Sequence, residues 1–306
     1  MPEGMNYMKK STGQPRRLMK NQTKKSIMLL LPSLVCISIL SLFPILRGIY
    51  IGFTDYKVGM PAKFNGLENY SYIFNNGYLK VAMKNTMFIL LVSLIAIYLI
   101  SLAVSILLNS NIPFRKLWRV LLIIPWAVPP VAKVGVWQKI FSVNNGQLNY
   151  LLTKLNLIDH NIGWVSDEKY AIFAVITIIV WGCIPFTAMS FLASMQAIPE
   201  ENYEAAQLDG ANAFQKFWYI TFPELREISM VTVSLLFMWI TTDFSSQFLL
   251  TKGGPGSATL TITVESYLQA FKYGNFGLST AYGNIMVVVC AAFLFFYIRV
   301  LKQKEV

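Results

Sequence analysis

Charge is scarce in this 306-residue chain: Asp, Glu, Lys and Arg together make up 13% of it, about half the quarter usual in soluble domains. Hydrophobic residues reach 55% and the mean hydropathy is +0.50, which excludes a disordered chain and argues against a single soluble core. Histidine is nearly absent. The one copy, His160, sits in Asp159-His160-Asn161 with no second His or Cys nearby, and reads as a surface residue, not a metal ligand. The three cysteines, Cys36, Cys183 and Cys290, are odd in number, lie in apolar stretches and form no CxxC, so neither a disulfide framework nor a zinc site is supported. There is no G-x-x-x-x-G-K-[ST], hence no P-loop with which this chain could hydrolyse ATP. Gly253-Gly254-Pro255-Gly256 is glycine-rich but lacks the lysine and helix that would follow, and reads as a turn.

Long apolar runs are abundant. A bilayer span takes about 20 mostly apolar residues, and six candidates occur: 26–53, about 81–108, about 117–141 (broken by Pro125, Pro129 and Pro130), about 170–195 with Pro185 inside, about 228–250 and about 281–301. The first is too long for a signal-peptide core and reads as retained. An all-α integral membrane fold follows, with a basic tail over 1–25 that reads as disordered and a six-helix domain over 26–304.

The net charge of +11 is concentrated. Seven cations precede the first span (Lys9, Lys10, Arg16, Arg17, Lys20, Lys24, Lys25); Arg115, Lys116 and Arg119 precede the third, Lys216 and Arg226 the fifth, and Arg299, Lys302 and Lys304 end the chain. By the positive-inside rule these segments and both termini are cytoplasmic. No nucleic-acid recognition motif accompanies the charge, so no nucleic acid is expected. The prolines at 125, 129 and 130 delete backbone hydrogen bonds, which favours an interior position over a lipid-facing one.

The connection over 198–223 is long and structured. Pro199 followed by Glu200 and Glu201 signals a helix start, and Gly210 a helix end; Phe214, Phe217, Trp218 and Ile220 make a second short amphipathic stretch that stops at Pro223. Six of the fifteen carboxylates lie at 200–227, which anionic lipid would repel, so docking into a partner's groove fits better than lying on the membrane.

This stretch closely resembles the EAA loop of ABC-importer permeases: E-A-A, three residues, G, nine residues, I, two residues, P. Here it reads Glu204-Ala205-Ala206, Gly210, Ile220 and Pro223, with Asp209 before the glycine. Pro125-Trp126-Ala127-Val128-Pro129 resembles a segment of maltose- and glycerol-3-phosphate-type permeases. So do Phe248 to Pro255 (their L-L-T-x-G-G-P) and Ala270-Phe271 with Tyr273-Gly274 through Gly277. The resemblance implies a type I ABC-importer permease in a bacterial plasma membrane.

Its partners would be a second homologous permease, an ATPase dimer and an external solute-binding protein, with membrane lipid around it. It implies no cofactor on this chain, ATP and Mg being held by the ATPase. It assigns ATPase coupling to Glu204, Ala205, Ala206, Asp209, Gly210, Ile220 and Pro223, Glu204 pairing with an ATPase arginine. It places substrate near Trp126, Pro130, Gly182, Cys183, Phe186, Ile240 and Asp243. The cargo implied is a carbohydrate, with an oligosaccharide expected, although Pro130, Phe186 and Ile240 stand where the maltose permease has polar side chains. Asp243 within a span could accept substrate hydroxyls, bond a neighbouring helix or relay a proton. It weighs against an anionic cargo unless a cation compensates, and Lys133 is the obvious one nearby in the spans. The alternatives are a proton-coupled secondary transporter using Asp243, or the same architecture importing glycerol-3-phosphate or another non-sugar solute.

Overall fold

The computed structural model describes residues 28–302, so the basic tail of residues 1–25 and Lys304 lie outside the described residues. Two compact units divide at Tyr50/Ile51. The described part of the first is helix α1, Met28–Ile51, all but its last residue; its 24 residues reach about 36 Å at 1.5 Å each, enough for a hydrocarbon core of about 30 Å. It contains a π turn, Ser38–Leu42, in which the Phe43 N–H reaches back to the Ser38 carbonyl. Pro44 follows directly. In an α-helix the proline ring would strike the carbonyl four residues back, and the wider turn relieves that clash.

The second unit contains α2 (Glu68–Asn75), α3 (Gly77–Asn109), α4 (Arg115–Ala127), α5 (Pro130–Ile140), α6 (Gln147–Lys154), α7 (Glu168–Ala197), α8 (Glu200–Leu208), α9 (Ala213–Lys216), α10 (Arg226–Thr242), α11 (Phe244–Thr251), α12 (Ile262–Tyr267) and α13 (Phe276–Lys302). Among the described residues, α1 included and α10 with α11 counted as one, five apolar helices are long enough to span a membrane, or six when α4 and α5 count as one broken span. The core is built on α3 packed along α7. On α3, Leu79, Ala82, Thr86, Ile89, Ser93, Ile97, Ser101, Ser105 and Leu108 are buried, a stripe recurring every three or four residues. Small residues on both helices (Ala82, Ser93 and Ser101; Ala171, Ala174 and Ala188) allow the close approach on which helix packing in lipid depends. The Ser101 hydroxyl donates to the Ile184 carbonyl at 3.3 Å, beside Pro185.

The third span is an elbow. α4 and α5 meet at 100°. Val128 (φ −74°, ψ 125°) precedes Pro129, and Pro129 (φ −56°, ψ 144°) precedes Pro130; a residue before proline is pushed out of the helical region, so two in succession break the helix. The expectation of an interior position is corrected here: Trp126, Ala127, Pro129 and Pro130 are exposed on this chain's surface, and Pro125 and Val128 half-buried.

The fifth span is also interrupted. α10 and α11 share Asp243, whose ψ of 88° is non-helical. Beyond α11, Lys252 (φ 55°) and Gly253 (φ 89°) turn the chain as the glycine-rich segment predicts. Asn85 of α3 ties that turn down by donating to the Ser257 and Leu260 carbonyls at 2.9 and 3.0 Å. At the same end, residues 54–58 meet 274–277. Buried Asn69 donates to the Gly52 and Thr54 carbonyls at 3.0 and 2.8 Å, and the Gly277 N–H to the Tyr56 carbonyl at 2.9 Å. His160 is exposed, as expected.

Candidate functional site

The 198–223 connection is a locked pair of short helices. Pro199 caps α8, and Glu200 and Glu201 occupy its first turn, where carboxylates complement the helix dipole. The end of α8 is a Schellman turn. Gly210, at φ +79°, donates its N–H to the Gln207 carbonyl at 3.1 Å, and Ala211 donates to Ala206 at 2.9 Å. Asn212 then opens α9 with a capping box: its side chain accepts the Gln215 N–H at 2.9 Å, and the Gln215 side chain accepts the Asn212 N–H at 2.8 Å. Two bonds hold the helices together. The Tyr203 and Thr221 hydroxyls lie 2.9 Å apart, and Lys216 Nζ donates to Gln207 Oε1 at 3.0 Å. Sequence reasoning missed these locks; only the Asn212/Gln215 spacing carried a readable signal.

Pro223 does not stop the second helix. A π turn over Phe217–Thr221 carries α9 on, with the Phe222 N–H bonded to the Phe217 carbonyl, and helical turns continue through Phe222–Glu224. The widened turn before a Phe-Pro pair is the device already used at Pro44. The outer surface is bare: Leu208 is 90% exposed, Tyr219 80% and Phe214 70%. Glu204, Ala205, Asp209, Gly210 and Pro223 are exposed as well, while Ala206 and Ile220 are half-buried. Exposed apolar side chains and carboxylates thus lie together on a pair of short helices joined by hydrogen bonds.

The residues assigned to substrate divide into three groups. Gly182, the fifteenth residue of thirty in α7, is buried, and its open face is covered by Lys133 of α5: a Cβ built on Gly182 would lie 3.0 Å from Lys133 Nζ. Cys183, the next residue, is half-buried. Asp243 caps α11 by accepting the Ser246 N–H at 2.9 Å on Oδ1, so a local backbone bond accounts for a carboxylate at this depth. Phe186 packs edge-on against Trp239 with centroids 4.8 Å apart, and Trp239, missed by sequence reasoning, is 38% exposed. Ile240 points the other way and is 2% exposed in the core. Trp126, 58% exposed, and Pro130 stand on the elbow. The elbow is fixed to the broken fifth span by Gln138 Nε2, which donates to the Leu249 carbonyl at 3.0 Å. An aromatic pair, an exposed indole, a carboxylate and an ammonium thus lie on α7 and on elements packed against it.

A family model described as "binding-protein-dependent transport system inner membrane component" matches residues 97–304. The chain is 30% identical over 264 residues to a probable ABC transporter permease protein of Pyrococcus horikoshii, covering 86% of this chain and 90% of that one. It is 29% identical to the trehalose/maltose transport system permease protein of Thermococcus litoralis (93% and 96% covered) and 29% to the sulfoquinovosyl glycerol transport system permease protein of Agrobacterium fabrum (92% and 91%). Among solved structures, a chain of a bacterial ABC transporter involved in the import of the acidic polysaccharide alginate superposes with a TM-score of 0.81 at 21% identity, covering 94% of this chain and 99% of that one.

Proposed function

This chain belongs to the family of binding-protein-dependent transport system inner membrane components, and on that premise we propose that it is the carbohydrate-translocating permease subunit of an ATP-driven importer, moving its cargo by alternating access. The observation that carries the reading is the locked helix pair over 198–223, on which Glu204, Asp209 and the side chains of Leu208, Phe214 and Tyr219 are all exposed. A face of this kind serves to receive the movement of another subunit. With no P-loop in the chain, that subunit is an ATPase holding ATP and Mg. Relatives named for trehalose/maltose and for sulfoquinovosyl glycerol support a carbohydrate cargo.

The exposed elbow supports a second permease: Trp126 and Pro130 line half of a pathway that a homologous subunit closes. Aromatic faces at Trp126, Phe186 and Trp239 suit the C–H faces of sugars. An external binding protein delivers the cargo to the end formed by residues 54–58, 252–261 and 274–277, the coupling loop and both termini being cytoplasmic. A proton-coupled transporter would leave the coupling face without a purpose, and Asp243 is already explained as a helix cap.

Purification of the chain in detergent with its candidate partner subunits, wild type against Glu204→Lys, tests this. The wild type is expected to bring down an ATPase and a second permease, and the variant to lose most of the ATPase. A wild type that purifies alone and transports in ATP-free vesicles under a proton gradient overturns the reading.

A further inference from the structure

The charge placed in the pathway has a sign. Two ionisable side chains, Lys133 and Asp243, lie on elements packed against α7. Their situations differ. Asp243 is committed: its carboxylate accepts the Ser246 N–H and sits at the N-terminal end of α11, where the partial positive charge of the helix offsets its own. Lys133 is uncommitted. Its backbone N–H is bonded to the Pro129 carbonyl at 2.9 Å, while its ammonium finds no acceptor among the described residues.

The side chain lies along α7, with Nζ, Cδ and Cε at 3.0, 3.6 and 3.8 Å from where a Gly182 Cβ would be. Lys133 is the third residue beyond Pro130, where the elbow turns. A lysine at this depth costs about 2.5–3.5 kcal/mol on insertion scales and marks a substrate path when no protein group neutralises it.

We propose that Lys133 is an anion subsite of the translocation pathway, taking the carboxylate or sulfonate of an acidic saccharide in the groove over Gly182, so that the cargo is a negatively charged carbohydrate. The proposal rests on the carbohydrate-importer reading and names its substrate class. It also reverses the weight that Asp243 carries in the sequence: the carboxylate that disfavours an anion is spent on a helix cap, and the compensating cation is free.

The test uses the fully assembled importer with its binding protein in ATP-loaded vesicles. The probes are an oligogalacturonide and neutral maltotriose, and the variants are Lys133→Gln and Lys133→Arg. The expected result is import of the oligogalacturonide by wild type, a fall of about tenfold or more in Lys133→Gln, and retention in Lys133→Arg, which keeps the charge. Stimulation of ATP hydrolysis by the loaded binding protein persists in all three, separating loss of recognition from loss of coupling. Should Lys133→Gln fail to assemble, Lys133→Met, an unbranched side chain without the charge, asks the same question, with the same direction expected. Equal import of the acid by Lys133→Gln, or by the assembled Lys133→Met complex, overturns the proposal. Import of maltotriose alone by wild type also overturns it and leaves the carbohydrate reading standing. If neither saccharide moves, the proposal is overturned, and the importer reading stands or falls by the co-purification test above.

Discussion

Asp243 shows how much a single side chain can decide. The backbone leaves the helix there with ψ at 88°, and the same residue ends α10 and begins α11. The carboxylate accepts the Ser246 N–H that the break would otherwise orphan. Asparagine caps about as well as aspartate, whereas alanine does not. Asp243→Asn is therefore expected to unfold thermally within a degree or so of wild type, by the ΔΔG-to-Tm scaling. Asp243→Ala should lose about 0.5–2 kcal/mol, read as a lower midpoint in a detergent thermal-shift assay. Equal loss in both variants would mean that the charge matters and the cap does not. Buried Asn69 offers a second case. It supplies two donors to carbonyls of the 52–54 segment, and Asn69→Leu should cost about 1–3 kcal/mol, since acceptors in a buried position are left without partners. The measurable sign is faster proteolytic cleavage between residues 52 and 65 in the purified protein.

At the scale of the element, two glycines separate backbone conformation from space. Gly210 has φ at +79°, yet a Cβ there would meet nothing within 4 Å. Gly210→Ala therefore pays only for the left-handed backbone, about 1–2 kcal/mol, and should weaken ATPase retention without preventing assembly of the chain. At Gly277, a Cβ would lie 2.1 Å from the Thr54 carbonyl oxygen and 3.1 Å from the Tyr56 nitrogen, both main-chain atoms. Gly277→Ala must therefore push the 54–58 segment from the start of α13. It should be the more damaging of the two in a side-by-side expression and thermal-shift comparison, and the reverse order would refute the packing described.

Both glycines stand in segments that the sequence marks, but the reasons differ in legibility. That Gly210 ends a helix follows from the residues around it. That Gly277 leaves room for a carbonyl more than 200 residues away does not. The apolar spans were legible because a bilayer demands about 20 apolar residues whatever their neighbours. The angle of the elbow and the break at Asp243 were not, because hydropathy stays high across a change of direction. The Tyr203–Thr221 lock was hidden for the same reason: it depends on how the Schellman turn aims one helix at the next.

For the whole molecule, the distribution of cations and the coupling face must agree on which side is cytoplasmic. Arg115, Lys116, Arg119, Lys216 and Arg226 fall at the end that carries α8 and α9, and the exposed loop with His160 at the opposite end. Reading the cationic end as cytoplasmic puts the docking face where ATP is found, and the turn held by Asn85 on the outside. Impermeant maleimide labelling of intact spheroplasts decides this, using a background in which Cys36, Cys183 and Cys290 are alanine. His160→Cys should label at once. Glu224→Cys, exposed beside the coupling helices, should label only after permeabilisation. Co-expression with the partner ATPase should then slow labelling of Glu224→Cys in permeabilised membranes, since docking covers its surroundings, and leave His160→Cys unchanged. Reversed labelling would place the helix pair outside the cell, away from any ATPase, and would remove the physical basis for coupling.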